Sequence, residues 1–216
     1  MGFTSVPGST NFIHEYQKKF PNKPVIHGEV CFEGMAGGSW QDVQRLLFWS
    51  NVLQGTPGYS YGAEGIWQFN TEANPFGESP TGHTWGNVPW TEAMHYAGSG
   101  QLGRSAQWLR GLPWWTITPA PECANFHATA EGIYAPYTAK MGNEVLLYFT
   151  KVGIGFAKNK LKILGLEPGA RYHYVFFDPI TGREYPAAEF TADGAGVWNV
   201  SHAPVMQDWV VRISPA

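Results

Sequence analysis

The chain has 216 residues, which allows one large domain or two small ones. Charged residues make up 14% and the net charge is −3, with no basic patch and no charge run, so nucleic acid and anionic membrane surfaces are excluded as expected partners. No apolar run approaches the length of a membrane span, and no charged start followed by an apolar core marks a signal peptide.

Aromatic residues reach 15%, with 10 Trp, 10 Tyr and 13 Phe. They serve either a large core or a surface for carbohydrate, whose C–H faces pack on aromatic rings. Cys31 and Cys123 are the two cysteines. Their spacing fits no metal site, and they are expected to be two free thiols. His14, His95, His127, His173 and His202 show no ligand spacing, so neither a metal nor a cofactor is expected.

In chain order, Val6-Pro-Gly8 is a turn signal, and Ser9, Thr10 or Asn11 can cap a helix. Phe12, Ile13, Tyr16 and Phe20 then recur at helical spacing. Pro24 to Glu29 reads as a buried strand and Gly34 to Gly38 as a loop. Ser39 with Asp42 resembles a capping box, and Val43, Leu46, Leu47, Ser50 and Leu53 mark one helix face that Gly55 and Pro57 end. Gly58 to Gly62 is a short strand with alternating aromatics. A long loop from Ala63 to Pro89 carries Trp67, Phe69, Phe76, His83 and Trp85, and loops of that length are usually functional. A helix over Thr91 to Leu112, interrupted or bent at Gly98 and Gly100, leads to Pro113-Trp-Trp-Thr-Ile-Thr-Pro119.

From about Pro119 the texture changes. Short strands are expected at 124–130, 132–137, 144–150, 160–164, 172–177, 183–186, 197–200 and 209–213. Turns at Met141-Gly-Asn143, Glu167-Pro-Gly169, Asp178 to Gly182 and Asp193-Gly194 separate them, the pattern of an antiparallel sandwich. The first half alternates strand and helix, which means parallel βα units. Three such units do not close a barrel, since a complete one takes about 250 residues.

The end of the 24–29 strand is the chemically suggestive point. In a parallel barrel, catalytic groups sit at the C-terminal ends of strands. Glu29 stands there, with Glu33 four residues on. Position alone leaves Glu29 either a catalytic carboxylate or a solvated loop residue.

The string Lys23-Pro-Val-Ile-His-Gly-Glu-Val-Cys-Phe-Glu-Gly34 resembles the "KPV-x-x-GE-x-x-YEG" segment of apiosidase-like glycoside hydrolases. Arg45 to Gly55, Gly58 to Gln68 and Gly103 to Trp115 continue the likeness. Phe177 to Arg183 and Asp208 to Ile213 resemble the small β domain, named for collagen binding, that follows this barrel.

The resemblance implies two parts. Residues 1–118 would be the last three βα units of a (β/α)8 barrel, and 119–216 a β-sandwich domain. Met1 to Ser5 would end strand six, Pro24 to Glu29 would be strand seven and Gly58 to Tyr61 strand eight. Glu29 would then be the nucleophile of a retaining glycosidase acting on a plant-type polysaccharide, and Trp67 would lie under the sugar at the cleavage point.

Strands one to five have no counterpart in the chain, and neither does the acid/base carboxylate that ends strand four in this barrel clan. The chain is therefore expected to be a C-terminal fragment, inactive alone, of an extracellular or periplasmic enzyme. Its missing N-terminal barrel half would be the partner that completes it. A retaining site needs two carboxyl groups about 5–5.5 Å apart. Glu33 is an in-chain alternative as acid/base, or a residue that orients Glu29 or the substrate, and Glu64 has similar status.

Other candidate substrate-binding residues are His27, Tyr59, Tyr61 and Trp85. His27 faces either the barrel lumen or the helix layer. Tyr59 and Tyr61 share one face, and would flank Glu29 if that face is the lumen. Trp108, Trp114 and Trp115 are expected to join the two parts. The alternative function is a carbohydrate- or protein-binding module without catalysis.

Overall fold

In the computed structural model, residues 6–20, 23–75, 86–126, 136–150 and 161–216 are described. The first half holds helices α1 (Val6–Lys19), α2 (Gln41–Leu53), α3 (Trp90–Ala93) and α4 (Ala97–Arg110). The second holds strands β1 (Ile117–Pro119), β2 (Tyr137–Met141), β3 (Glu144–Phe149), β4 (Lys162–Ile163), β5 (Arg171–Asp178), β6 (Arg183–Glu184), β7 (Ala188–Thr191), β8 (Trp198–Asn199) and β9 (Trp209–Pro215).

Seven strands form one antiparallel sheet in the order β1-β2-β3-β9-β5-β6, with β7 also pairing β5. β4 and β8 form a separate antiparallel pair. Strict alternation gives the large sheet two apolar faces. Leu146, Tyr148, Phe177 and Val210 pack on α2 and α4, joined by Tyr137, Ala139 and Met141 of β2. Val145, Leu147, Phe149, Phe176, Trp209 and Val211 face the other way, onto Ile163 of β4 and Trp198 of β8. β1 straddles residues 118 and 119, and the core beneath the helices draws on both halves of the chain.

The parallel part is sparse. Pro24 to Glu29 forms no ladder and is not the buried strand expected, since Pro24, Ile26, Gly28 and Glu29 are exposed. His27 bridges Tyr59 and Glu33 bridges Ala63, both in parallel. The two segments are joined through α2, so they make a βαβ unit.

Several elements differ from the sequence expectation. α1 begins at Val6, placing Pro7 and Gly8 inside the helix rather than in a turn. Proline is tolerated in a first turn because the N–H it lacks has no helical partner there. Of the α1 apolar set, Ile13 is buried while Phe12, Tyr16 and Phe20 are exposed.

α2 starts at Gln41 with Trp40 as N-cap and no capping side-chain bond. Ser39 Oγ instead accepts from Gln44 Nε2 at 3.2 Å, which removes it from the expected capping box. The helix expected over 91–112 breaks at Met94 to Tyr96, and Gly98 and Gly100 lie inside α4 rather than at the break. β1, β7 and all of β2 but Tyr137 lie outside the strands expected from the sequence. β2 and β3 form a hairpin over Gly142 and Asn143, with Gly142 at φ 63°. Of the strands expected over 124–130 and 132–137, residues 127–135 lie outside the described residues.

α2 is the centre of the molecule. Every residue from Gln44 to Leu53 is buried. The missing cap forgoes about 1 kcal/mol. Full burial of Leu47, Trp49 and Leu53 contributes roughly 1.5–3 kcal/mol each, so packing decides the helix. Trp108 stacks on Phe177 with ring centroids 4.5 Å apart, and its Nε1 donates to Glu184 Oε1 at 2.6 Å. Trp114 packs on the same core, whereas Trp115 is 71% exposed with its ring edge-on to that of Trp114.

Arg45 fastens α2 to the sheet side. Its Nε and Nη2 donate to the two oxygens of Asp208 at 2.7 Å each, and its Nη1 donates to Gln101 Oε1 on α4. Tyr148 donates to Asp208 Oδ2 at 3.2 Å. All four residues are buried. Removing one charge of such a pair strands the other. Asp208→Ala is therefore expected to cost about 3–5 kcal/mol in urea unfolding, and Arg45→Met with Asp208→Leu far less than that.

Candidate active site

The site is built where the two parallel segments end. Between the two bridges the first segment runs from His27 to Glu33, while the second runs only from Tyr59 to Ala63. The first segment therefore holds two extra residues, a bulge over Gly28 to Phe32. Bulges re-aim side chains that strict alternation would put on one face.

That effect is visible here. His27 is half-buried, and burial lowers its imidazole pKa from 6.5 against the opposing effect of Asn51 of α2 and the Glu29 backbone. Val30 is buried in the core under α2. Glu29 between them is exposed to solvent.

Glu33 is 1% exposed. Its Oε2 accepts from Tyr61 Oη at 2.6 Å, and both its oxygens lie 3.0–3.1 Å from the Gly98 N–H in the first turn of α4. A helix N-terminus presents unpaired N–H groups and a positive dipole end, so the carboxylate is well placed there. A side chain at Gly98 would run into Glu33 Oε2, which explains a glycine inside that turn. Glu33 thus orients the loop that follows Glu29 by tying it to α4.

Tyr59 and Tyr61 also face the helix layer. Tyr59 packs edge-on to Phe48 and donates to Gln44 Oε1 at 3.3 Å. Burial pushes its phenol pKa up, and burial with the Glu33 hydrogen bond does the same for Tyr61, so both act as hydrogen-bond donors. Neither lies on the opposite face, where Ile26 and Phe32 cover the places of side chains absent at Gly58 and Gly62.

Trp67 is 46% exposed and meets Phe32 at 6.1 Å between ring centroids. Beyond it, Phe69 adopts φ 57°, the one positive φ outside glycine among the described residues, and stacks on Trp90 at 5.7 Å. Asn70 holds this turn by donating from Nδ2 to the Gly86 and Val88 carbonyls.

Glu64 is buried with its carboxyl against Gly86, and burial raises its pKa above 4.5. Trp85 and His83 lie outside the described residues. The two cysteines are free.

The structure therefore separates the expected site residues. Glu29 and Trp67 are open to solvent. Tyr59 and Glu33 bind to the helices behind them, Tyr61 binds Glu33, and His27 is half-buried. Asn51 and Gln44 were not anticipated. The available signal was two amides seven residues apart on the apolar face of a helix.

A family model described as "Apiosidase-like, catalytic domain" matches residues 7–116. A solved structure described as a glycoside hydrolase superposes at a TM-score of 0.76 and 18% identity, covering 96% of this chain and 46% of its own. A glycoside hydrolase family 5 structure from Bacteroides vulgatus ATCC 8482 gives 0.73 at 19% identity, covering 95% and 44%. At these identities the likeness is one of fold, and the chain spans less than half the length of either structure. No curated protein sequence matches the chain.

Two outcomes follow from the buried carboxylates. Gly98→Ala gains up to about 1 kcal/mol of helix propensity but must displace Glu33, at roughly 1–3 kcal/mol. A net loss is expected in thermal unfolding, and it should vanish when Glu33→Ala is already present. For Glu64, a raised folded-state pKa means the folded chain holds that proton more tightly. Its stabilising contribution is whole below the unfolded pKa near 4.5 and drains away as the pH rises through the folded value. Glu64→Gln should therefore unfold at a higher temperature than the native chain at pH 7, with the gap closing toward pH 4.5.

Proposed function

The chain belongs to the apiosidase-like glycoside hydrolase family, and on that premise we propose that it carries the nucleophile half of a retaining glycosidase site, with Glu29 as the nucleophile. The observation that carries this reading is the bulge over Gly28 to Phe32. It turns Glu29 out to solvent at the end of a parallel segment while Val30 turns in under α2. In a barrel that strand end is the catalytic mouth.

The 24–29 segment, α2 and the 58–62 segment are read as units seven and eight of a (β/α)8 barrel. The two β layers of residues 119–216 are read as an accessory sandwich. Trp67 is the stacking platform for the sugar, supported by its exposure and its packing on Phe32. Glu64 is a residue lining the site.

In the proposed reaction a Glu29 oxygen attacks the anomeric carbon while a second carboxylic acid protonates the departing oxygen. The covalent glycosyl-enzyme is then opened by water, which that second group deprotonates. Glu33 is committed to Gly98 and Tyr61. The proton donor is therefore assigned to residues beyond these 216, and the chain alone is inactive. The substrate is a plant-type polysaccharide, and a polymer of that size places the enzyme outside the cytoplasm.

A binding module without catalysis is the second reading, favoured by the exposed rings of Trp67 and Phe69. The test is turnover of a panel of 4-nitrophenyl glycosides by the protein extended upstream of Met1. Glu29→Gln is expected to lower its kcat roughly 10⁴-fold or more, as loss of a nucleophile does elsewhere. Full activity in Glu29→Gln would sink the nucleophile assignment. Polysaccharide binding with no turnover in either form would favour the module.

A further inference from the structure

We infer that Gln44 of α2 is a positioning residue for Glu29: by holding the Cys31 carbonyl, its amide fixes the register of the bulge and so keeps Glu29 on the outer side. The catalytic meaning of this inference rests on the reading of Glu29 as nucleophile.

Parallel pairing stops at His27, whose carbonyl accepts from the Ser60 N–H at 3.4 Å. It resumes at Glu33, whose N–H donates to the Gly62 carbonyl at 2.9 Å. Between these points the described residues show no backbone hydrogen bond joining the two segments. Gly28 to Phe32 therefore face only Ser60 to Gly62, and the pairing does not decide which of them point inward. A slip of one residue would exchange inner and outer side chains. Glu29 and Val30 are the pair at stake. Val30 is 5% exposed in the core under α2, and Glu29 is exposed. The slipped chain would put the carboxylate where the valine is. The bonds to the Glu33 carboxylate lie beyond the bulge and do not distinguish the two registers.

Gln44 does distinguish them. It is completely buried, and its amide is committed at both ends. Nε2 donates to the Cys31 carbonyl at 2.6 Å and to Ser39 Oγ at 3.2 Å, and Oε1 accepts from Tyr59 Oη at 3.3 Å. Tyr59 is the residue bridged to His27 where the bulge begins, and Cys31 directly follows Val30. One planar amide thus spans the gap in the pairing. Its orientation is set by chemistry, because a backbone carbonyl can only accept: the nitrogen faces Cys31 and the oxygen is left for the Tyr59 hydroxyl. A slipped bulge would carry the Cys31 carbonyl away and leave a buried N–H without its partner, which is costly. With Val30 inward and the Cys31 carbonyl held, Glu29 stays on the outer side, two residues from the anchor. A nucleophile displaced by about 1 Å can lose roughly 10²-fold in rate.

The experiment has two arms. In the 216-residue chain, NMR follows the Cys31 carbonyl carbon and the Gly28 to Glu33 amides in the native chain, Gln44→Met and Tyr59→Phe. Gln44→Met keeps the side-chain length without the amide. It is expected to move the Cys31 carbonyl and the Glu29 and Val30 amides, and to leave the Glu33 amide in place. Unmoved Glu29 and Val30 signals in a folded variant would overturn the inference. Should Gln44→Met not fold, Tyr59→Phe frees one end of the amide and is expected to shift the Gln44 side-chain nitrogen and the Cys31 carbonyl together. A Cys31 carbonyl that stays in place would then overturn it.

In the protein extended upstream of Met1, Gln44→Met is expected to lower kcat about 10- to 100-fold at unchanged KM, at a temperature where both forms are fully folded. A purely structural role would lower the melting temperature and leave the kcat of the folded enzyme native. Native kcat in Gln44→Met, with Glu29→Gln inactive, would refute the positioning role and leave the nucleophile reading intact. Full activity in Glu29→Gln would remove the nucleophile reading, and the NMR arm would still decide whether Gln44 sets the bulge.

Discussion

The burial of α2 between two different layers is the constraint on which the rest depends. A helix with ten consecutive buried residues cannot be amphipathic in the ordinary sense, so its polar side chains need partners supplied by its surroundings. Arg45 and Gln44 find theirs on other elements, Ser50 and Asn51 donate to the Leu47 carbonyl within α2, and Trp49 Nε1 has none among the described residues. Arg45 takes Asp208 beside β9, and Gln44 takes the Cys31 carbonyl and Ser39. The Asn51 amide donates to Leu47 and influences the titration of His27. The polar groups of α2 therefore specify where the sheet and the bulge sit, while its leucines and Trp49 supply the energy. Burying the Arg45–Asp208 pair is not in itself stabilising, because two charges leave water for it. Its consequence is register, since a helix shifted by one residue would leave both charges without a partner.

Much of the helical layer was legible because it follows the 3.6-residue period. The α2 stripe of Val43, Leu46, Leu47 and Leu53 gave the helix and its end at Gly55. The failures share a cause. Ser39 looked like a cap and Gly98 like a helix breaker, but each is claimed by a residue far off or on another element, Gln44 in one case and Glu33 in the other. Local rules cannot see such claims. Most of β2 and all of β7 escaped notice because strand periodicity over four or five residues is a weak signal, although the turn between β2 and β3 was plain from Met141-Gly-Asn143.

The site was half legible for a similar reason. Glu29 and Glu33 are chemically identical in the sequence, four residues apart on one segment. Strict alternation would set both on the same face as His27. The two-residue bulge lets Glu29 leave that face while Glu33, at the bridge beyond it, keeps it, and only the parallel pairing with Tyr59 and Ala63 reveals this. Environment then separates the carboxylates. Glu33 receives hydrogen bonds at a helix N-terminus, Glu64 is buried with its pKa raised, and Glu29 faces water. Assigning acid and base roles by environment rather than by residue type is the general logic of carboxylate chemistry.

The open face has its own energetic logic. Scattered exposed apolar side chains are ordinary on a protein surface and carry no meaning alone. Phe69 is different, because a bulky residue at positive φ carries strain of order 1–3 kcal/mol that a better-suited glycine would avoid. The strain is imposed from below. Asn70, 1% exposed, is locked to the Gly86 and Val88 carbonyls, and the Trp90 N–H donates to the Asn70 carbonyl. With Asn70 fixed, the Phe69 ring stands out in solvent, 70% exposed, and stacks on Trp90 within 5° of parallel. The turn thus sets the Phe69 ring against Trp90, two residues beyond the exposed ring of Trp67.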